Sequence, residues 1–357
     1  MIASASEDGI LCLWDGMTGA RWNTEIVGAT IMSLVFSEDA SLLVSVSTDS
    51  IARVWDVQPT QGMMKLKHSL VGHDNWLREA AISPSGRLVA TASDDRTVRV
   101  WDISGAATAD TNQTTEDKET SELPVSVFKG HTDWINSVAF SPDETRLASA
   151  GDDSHVMIWN LGSKEKKQDK DAPDKDMNDT RVDEYIRGVA FSADGSKVVS
   201  VCWGGTIAVW NPDLPNDQSE PKQPCCLIVK GFYSGSFRSI RIDKDYPDVL
   251  QTEVGAWQFD LESEAIKNAW ASTSKVTSLE RLRPARCPFG ISDEGEWITW
   301  KERRLIHLPV QFRPADKGIC CRVQGHSVVV GCELGQVLLF RFSEDASLIL
   351  EKSFQIV

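Results

Sequence analysis

Residues 129–160 read KGHTDWINSVAFSPDETRLASAGDDSHVMIWN. A Gly-His pair opens the stretch, three runs alternate apolar and polar residues, an Asp-Asp turn precedes the last run, and a Trp closes it. Alternation with period two is the signature of strands that bury one face. Residues 71–102 repeat the template as VGHDNWLREAAISPSGRLVATASDDRTVRVWD. Self-similarity with a period of about 40 residues marks a propeller or another repeat array, in which each unit buries its apolar surface against its neighbours.

The same template extends in both directions. Residues 2–15 look like the second half of a unit whose first strand is missing, and residues 29–56 supply three further runs. The fifth unit, 185–211, has Gly204 and Gly205 where the others carry an acidic turn. Over 237–343 the pattern decays but stays legible. Trp14, Trp55, Trp101, Trp159 and Trp210 close the regular units, and Phe259, Trp300 and Phe340 stand in their place later. The expectation is one all-β domain over 1–357 with four-stranded antiparallel blades. Seven blades are favoured, counted from an outer strand at Arg21 that closes the ring against the last unit, which leaves 1–15 over as an incomplete blade. Eight blades are the alternative. Two insertions, 104–124 and 162–183, are polar or charged and poor in aromatics; such segments bury too little apolar surface to offset ordering entropy and are expected to be mobile loops.

Composition narrows the function classes. Thirteen Trp against three Tyr is the ratio that one Trp per unit produces. A net charge of −15 argues against nucleic acid or an anionic membrane as partner, because binding phosphates requires a basic patch. None of the eight cysteines falls in a C-x₂-C pair, so they read as reduced core thiols of a cytoplasmic protein rather than zinc ligands. The six histidines show no ligand spacing, and neither cofactor nor metal is expected. Residues 1–9 lack the regions of a signal peptide, and no apolar run approaches ~18 residues. The chain begins inside a strand pattern, which suggests a fragment of something longer.

Gly72-His73 and Gly130-His131 at the openings, with Trp14-Asp15, Trp55-Asp56 and Trp101-Asp102 at the closings, resemble the WD-repeat family. The resemblance implies a β-propeller and a buried hydrogen-bonded set in each regular blade. Carried onto this sequence, that set is His73, Ser93, Asp95 and Trp101; then His131, Asp153 and Trp159 with Gly151 in the serine's place; then Ser47, Asp49 and Trp55 without a histidine. A structural role suits it, since a buried carboxylate needs donors and an indole N–H needs an acceptor. The hydrolase-triad reading of His73, Asp95 and Ser93 is set aside because the motif tracks the repeat.

The resemblance also puts the Gly-His loop and the Asp turn on one face, called the top. Aligned inner strands there give one column through Thr30, Trp76, Trp134, Tyr185 and Ser236, and another through Met32, Arg78, Asn136, Arg187 and Arg238. Aromatics and Arg dominate protein-binding hot spots. Trp76, Arg78, Trp134, Asn136, Tyr185, Arg187, Arg238 and Trp203 are therefore the expected partner-binding residues, with Asp94 and Asp152 on the rim. The arginines point to a protein or peptide ligand that is acidic or phosphorylated. The competing reading makes the Trp residues strand caps and the arginines counter-ions for Asp94 and Asp152.

Residues 237–343, with GISDEGEWITW, LIHLPVQFRPAD and VVVGCELGQVLLFRFS, are similar to the degenerate end of fungal NACHT–WD-repeat proteins, the heterokaryon-incompatibility-like intracellular sensors. That resemblance implies a non-enzymatic recognition propeller. The nucleotide-switch half is absent from this chain, which has no G-x-x-x-x-G-K-[ST] loop. The alternatives are a free-standing adaptor of the mitochondrial-fission type and a ubiquitin-ligase substrate receptor.

Overall fold

The computed structural model describes residues 1–16, 18–105, 121–122, 124–161, 180–181 and 184–212, together with strands and short flanks between 225 and 342. These residues form an all-β fold of eight sheets, and no helix among them is long and apolar enough to cross a membrane. The first sheet is β1 (Ile2–Ala5), β2 (Ile10–Trp14) and β3 (Arg21–Ile26). The second holds β4 (Ile31–Phe36), β5 (Leu42–Ser47), β6 (Ile51–Gln58) and β7 (Met63–Val71). The third is β8 (Leu77–Ile82), β9 (Leu88–Ser93) and β10 (Thr97–Asp102), and beyond β11 (Ser121–Glu122) it is completed by β12 (Ser126–Lys129). The fourth holds β13 (Ile135–Phe140), β14 (Arg146–Gly151), β15 (His155–Asn160) and β16 (Thr180–Arg181), and the fifth β17 (Ile186–Phe191), β18 (Val198–Cys202), β19 (Ile207–Trp210) and β20 (Cys225–Val229). Three smaller sheets follow between Ile240 and Arg341.

Each regular sheet is an antiparallel meander in chain order. The first strands of successive sheets adjoin, β4 beside β8, β8 beside β13 and β13 beside β17. This is the radial repetition of a propeller. Its hairpins are set by hydroxyl and carboxylate side chains, which mimic backbone turns. In the β4–β5 turn Ser37 donates to Asp39 at 2.6 Å and Asp39 accepts the Ser41 amide at 3.0 Å. The β13–β14 turn repeats this with Ser141, Asp143 and the Thr145 amide. Those bonds, the serine's first, hold both carboxyls down at about 2.

The core lies between sheets. Leu42, Val44 and Val54 of the second pack with Leu77, Val89 and Trp101 of the third. Ala90, Val98 and Val100 then pack with Ile135, Leu147 and Trp159. Middle strands are covered on both faces, so every residue of β5 is buried.

The strand at Arg21 pairs with β2, Ile10 opposite Ile26 and Leu11 opposite Glu25. It completes the first sheet among the described residues. Residues 121–122 of the first insertion form a fifth strand, parallel to β7 at Ser69 and Leu70, and residues 180–181 of the second pair with His155 and Val156. The rest of both insertions lies outside the described residues, except 104–105, 124 and 161 at their margins. Phe259, Ser236 and Arg238 lie outside them as well.

Candidate functional site

Each of the four regular inner strands starts with a bulge. The pairing register steps from Ile31 to Ser33, from Leu77 to Glu79, from Ile135 to Ser137 and from Ile186 to Gly188. The residues left out of the ladder are Met32, Arg78, Asn136 and Arg187. An extra residue bends the strand and re-aims its own side chain, so the four described residues of the second predicted column are bulge residues. Main-chain bonds join the first column to the facing turns: the carbonyls of Trp76, Trp134 and Tyr185 accept the amides of Asp94, Asp152 and Trp203 at 2.8–2.9 Å.

These devices bring seven of the eight predicted binding residues onto one face. Trp76, Trp134, Tyr185 and Trp203 expose between 45% and 54% of their surface, far more than the closing Trp residues of the blades. Arg78 donates from Nε and Nη2 to the two oxygens of Asp94, both at 2.6 Å. Its guanidinium lies 5.7 Å from the Trp76 ring and 5.0 Å from the Trp134 ring of the next sheet. Asn136 donates to Asp152 at 2.6 Å and across the sheet boundary to the Ile186 carbonyl at 2.9 Å. Arg187 donates to Asn136 at 3.1 Å, stands 3.3 Å from Asp152 and lies 4.9 Å from the Trp203 ring. Stacking of a cation on an indole stabilises by about 0.5–2 kcal/mol, which fixes the rings in place.

Asp94 is buried, so it lies beneath Arg78 and not on the rim. A buried carboxylate needs a paired donor, and the fork of Arg78 supplies it. Gly151, at the end of β14, packs closely under the same face: a Cβ there would meet the Trp134 carbonyl oxygen.

The buried sets form, with one correction. His73 places Nδ1 2.7 Å from Asp95 and Nε2 2.7 Å from the Thr91 hydroxyl, and Trp101 donates its indole N–H to that hydroxyl at 3.0 Å. His131 repeats this with Asp153, Ser149 and Trp159 at 2.7, 2.7 and 2.8 Å. The hydroxyl is therefore ten residues before the Trp, not two before the Asp. Trp55 likewise donates to Ser45 at 2.9 Å, while Ser47 bonds Asp49 at 2.5 Å. Ser93 donates to the Asn75 carbonyl and accepts the Asp95 amide. Antiparallel pairing explains the offset, since Trp101 lies opposite Val89 and Thr91 is the diagonal neighbour on the same face.

Carboxylates only accept, so the Nδ1–H of His73 donates to Asp95 and Nε2 takes the Thr91 proton. Burial pushes the His73 imidazole below its ordinary pKa against the pull of Asp95, which keeps it neutral. Burial opposes the Asp95 charge, but the His73 hydrogen bond, Thr97 and the Asp74 amide outweigh it and hold the carboxyl well below the usual range. Thr91 and Ser149 are fully buried, so neither hydroxyl meets a substrate. Among the described residues, no group of three or more His, Cys, Asp or Glu side chains is placed to hold a metal ion.

Meander order, radial stacking and the repeated His–Asp–hydroxyl–Trp sets define a β-propeller. The chain carries WD repeats: residues 24–56, 64–102, 122–160 and 180–211 match the family described as WD domain, G-beta repeat. It is similar to Apoptotic protease-activating factor 1 of Rattus norvegicus, 30% identical over 174 residues, 47% of this chain and 12% of that protein. Nuclear distribution protein PAC1 of Arthroderma benhamiae is 28% identical over 189 residues, 46% of this chain and 37% of that one. WD repeat and SOCS box-containing protein 1 of Homo sapiens is 32% identical over 127 residues, 35% and 26% of the two chains. The chain thus spans well under half the length of these relatives.

Proposed function

We propose that this propeller is a non-enzymatic protein-interaction scaffold that holds a peptide segment of its partner on the face of Trp76, Trp134, Tyr185 and Trp203. The observation that carries the reading is the row itself: four large aromatics, each about half exposed, three of them stacked on paired arginines. Rigid aromatics give contact area at low entropic cost and dominate binding energy where they occur. Replacing Trp76 and Trp134 together by Ala is expected to abolish partner capture, read by pull-down, with the melting temperature within a few degrees of the parent. A variant that unfolds instead would make the row a packing feature.

Within that reading the chain serves as the ligand-recognition propeller of a cytoplasmic NACHT-type sensor of fungal kind. The resemblance of 237–343 supports this. Ligand capture would be coupled to a nucleotide switch on a separate segment. Similarity to a nuclear distribution protein and to a SOCS-box protein favours the second reading, a free-standing adaptor or ubiquitin-ligase substrate receptor. The full transcript separates them: a joined P-loop segment supports the sensor, a coiled coil the fission-type adaptor, an F-box the ligase receptor.

The acidic or phosphorylated ligand expected from the arginines meets an obstacle in their pairing. Asp94 already neutralises Arg78 through its Nε–H and one Nη2–H, so an acid would be left the remaining N–H groups of a guanidinium whose charge is compensated. At Arg187 one buried Nε–H lacks a partner among the described residues, and an acid reaching it would have to move Trp203.

A further inference from the structure

Arg78 and Arg187 are neutralised from within, by Asp94 and by Asp152, so they add no net positive charge to the face. What surrounds the aromatics is acidic. Asp74 precedes Trp76 by two residues with 90% of its side chain exposed, 3.9 Å from Arg99, and Asp133 is exposed directly before Trp134; Glu184, before Tyr185, accepts the Thr206 hydroxyl at 3.0 Å and has its other oxygen buried. Glu7 adds an exposed carboxylate on the neighbouring turn, whose main-chain carbonyl is bound by Thr30 at 2.9 Å. Arg96 and Lys129 are exposed cations beside these turns and Arg99 stands 3.9 Å from Asp74; the exposed carboxylates Glu7, Asp8, Asp74 and Asp133 outnumber these three cations. Indole faces carry negative quadrupole charge and attract cations. The face already demonstrates that chemistry, with a guanidinium between Trp76 and Trp134 and another against Trp203.

We infer that the segment taken by this face is cationic: an arginine- or lysine-bearing peptide whose side chains stack on the exposed indoles of Trp134 and Trp203 and pair with Asp133 and Asp74. The inference rests on the interaction reading above and settles the charge of the ligand within it. Two requirements of the ligand follow, a cation to meet the carboxylates and an unbranched stem to lie along the rings. Long basic side chains meet both, because their methylenes cover apolar surface while the head stays paired.

The test is a random-peptide display selection on the full chain at physiological salt, repeated on the Trp134→Ala/Trp203→Ala variant and on Asp133→Lys. The Trp variant keeps every charge, so general attraction of cations to a chain of net charge −15 survives in it, whereas stacking does not. Thermal melts confirm that both variants fold. Asp133→Lys, at an exposed position, serves if the Trp variant does not fold. Enrichment of arginine- or lysine-bearing peptides that bind at least about tenfold more weakly to either variant is the expected result, a change of about 1.4 kcal/mol. Acidic or uncharged peptides that are lost in the Trp variant would overturn the cationic ligand and leave the face standing as a binding site. Peptides indifferent to both variants, or no enrichment at all, would overturn the face and the inference together.

Discussion

Thr91 and Ser149 each take an indole N–H and give their own proton to a histidine. Removing either hydroxyl strands two buried groups at once, the indole donor and the imidazole acceptor, while both remain desolvated. An unsatisfied buried group costs about 1–3 kcal/mol, so Ser149→Ala is expected to cost roughly 2–4 kcal/mol, and Thr91→Ser, which keeps the oxygen, about 1 kcal/mol or less. Ser93→Ala touches only a turn amide and a carbonyl and should cost about 1 kcal/mol. Urea denaturation midpoints at constant m-value order the three. If Ser93→Ala is the most damaging, the hydroxyl assignment is wrong. The offset was present in the sequence as Ser4, Ser45, Thr91, Ser149 and Ser200, each ten residues before a Trp. It becomes legible only once the register pairs a strand with its neighbour, because nothing local links residues that far apart.

At the level of the element, strands and hairpins were legible because period-two patterning and Ser-x-Asp turns are local properties of the chain. The inner-strand bulges were not. A bulge inserts one residue without changing composition, and Arg78 or Asn136 reads equally well as the outward residue of a regular strand. Yet the bulge is what separates the aromatic column from the arginine column and allows an arginine to slide beneath a Trp. The sheet-to-sheet fit at this face is tight at Gly151, where the sequence read only a missing serine. Gly151→Ser would push its Cβ into the Trp134 carbonyl, break the Asp152 amide bond to it and shift the ring. Overpacking of this kind costs about 1–3 kcal/mol. Intrinsic fluorescence should change with the melting temperature; a variant with unchanged melting and unchanged emission would show that the strand end yields freely.

The whole molecule stands on cores that belong to pairs of sheets. Leu77 is fully buried at the start of β8, yet its layer includes Leu42, Val44, Ala52, Val54 and Leu70 of the preceding sheet. No sheet here can bury its own apolar faces, so stability is a chain of nearest-neighbour terms in which one cavity loosens two sheets. Leu77→Ala is expected to cost about 2–5 kcal/mol. Hydrogen exchange should accelerate in β4–β6 as well as in β8–β10, while the layer formed by Ile298, Leu308, Val328 and Val330 keeps its protection until the global transition. Exchange confined to β8–β10 would mean that blades open singly and that the shared layer contributes little. Equal acceleration throughout would mean a single cooperative unit instead. The intermediate outcome bears on function, because the aromatic face is assembled across the same boundaries: Arg78 of the third sheet lies on Trp134 of the fourth, and Asn136 of the fourth bonds Ile186 of the fifth. A ligand that bridges Trp76, Trp134 and Trp203 would tie these sheets together from above, and its binding should slow exchange across all three inner strands, β8, β13 and β17, at once.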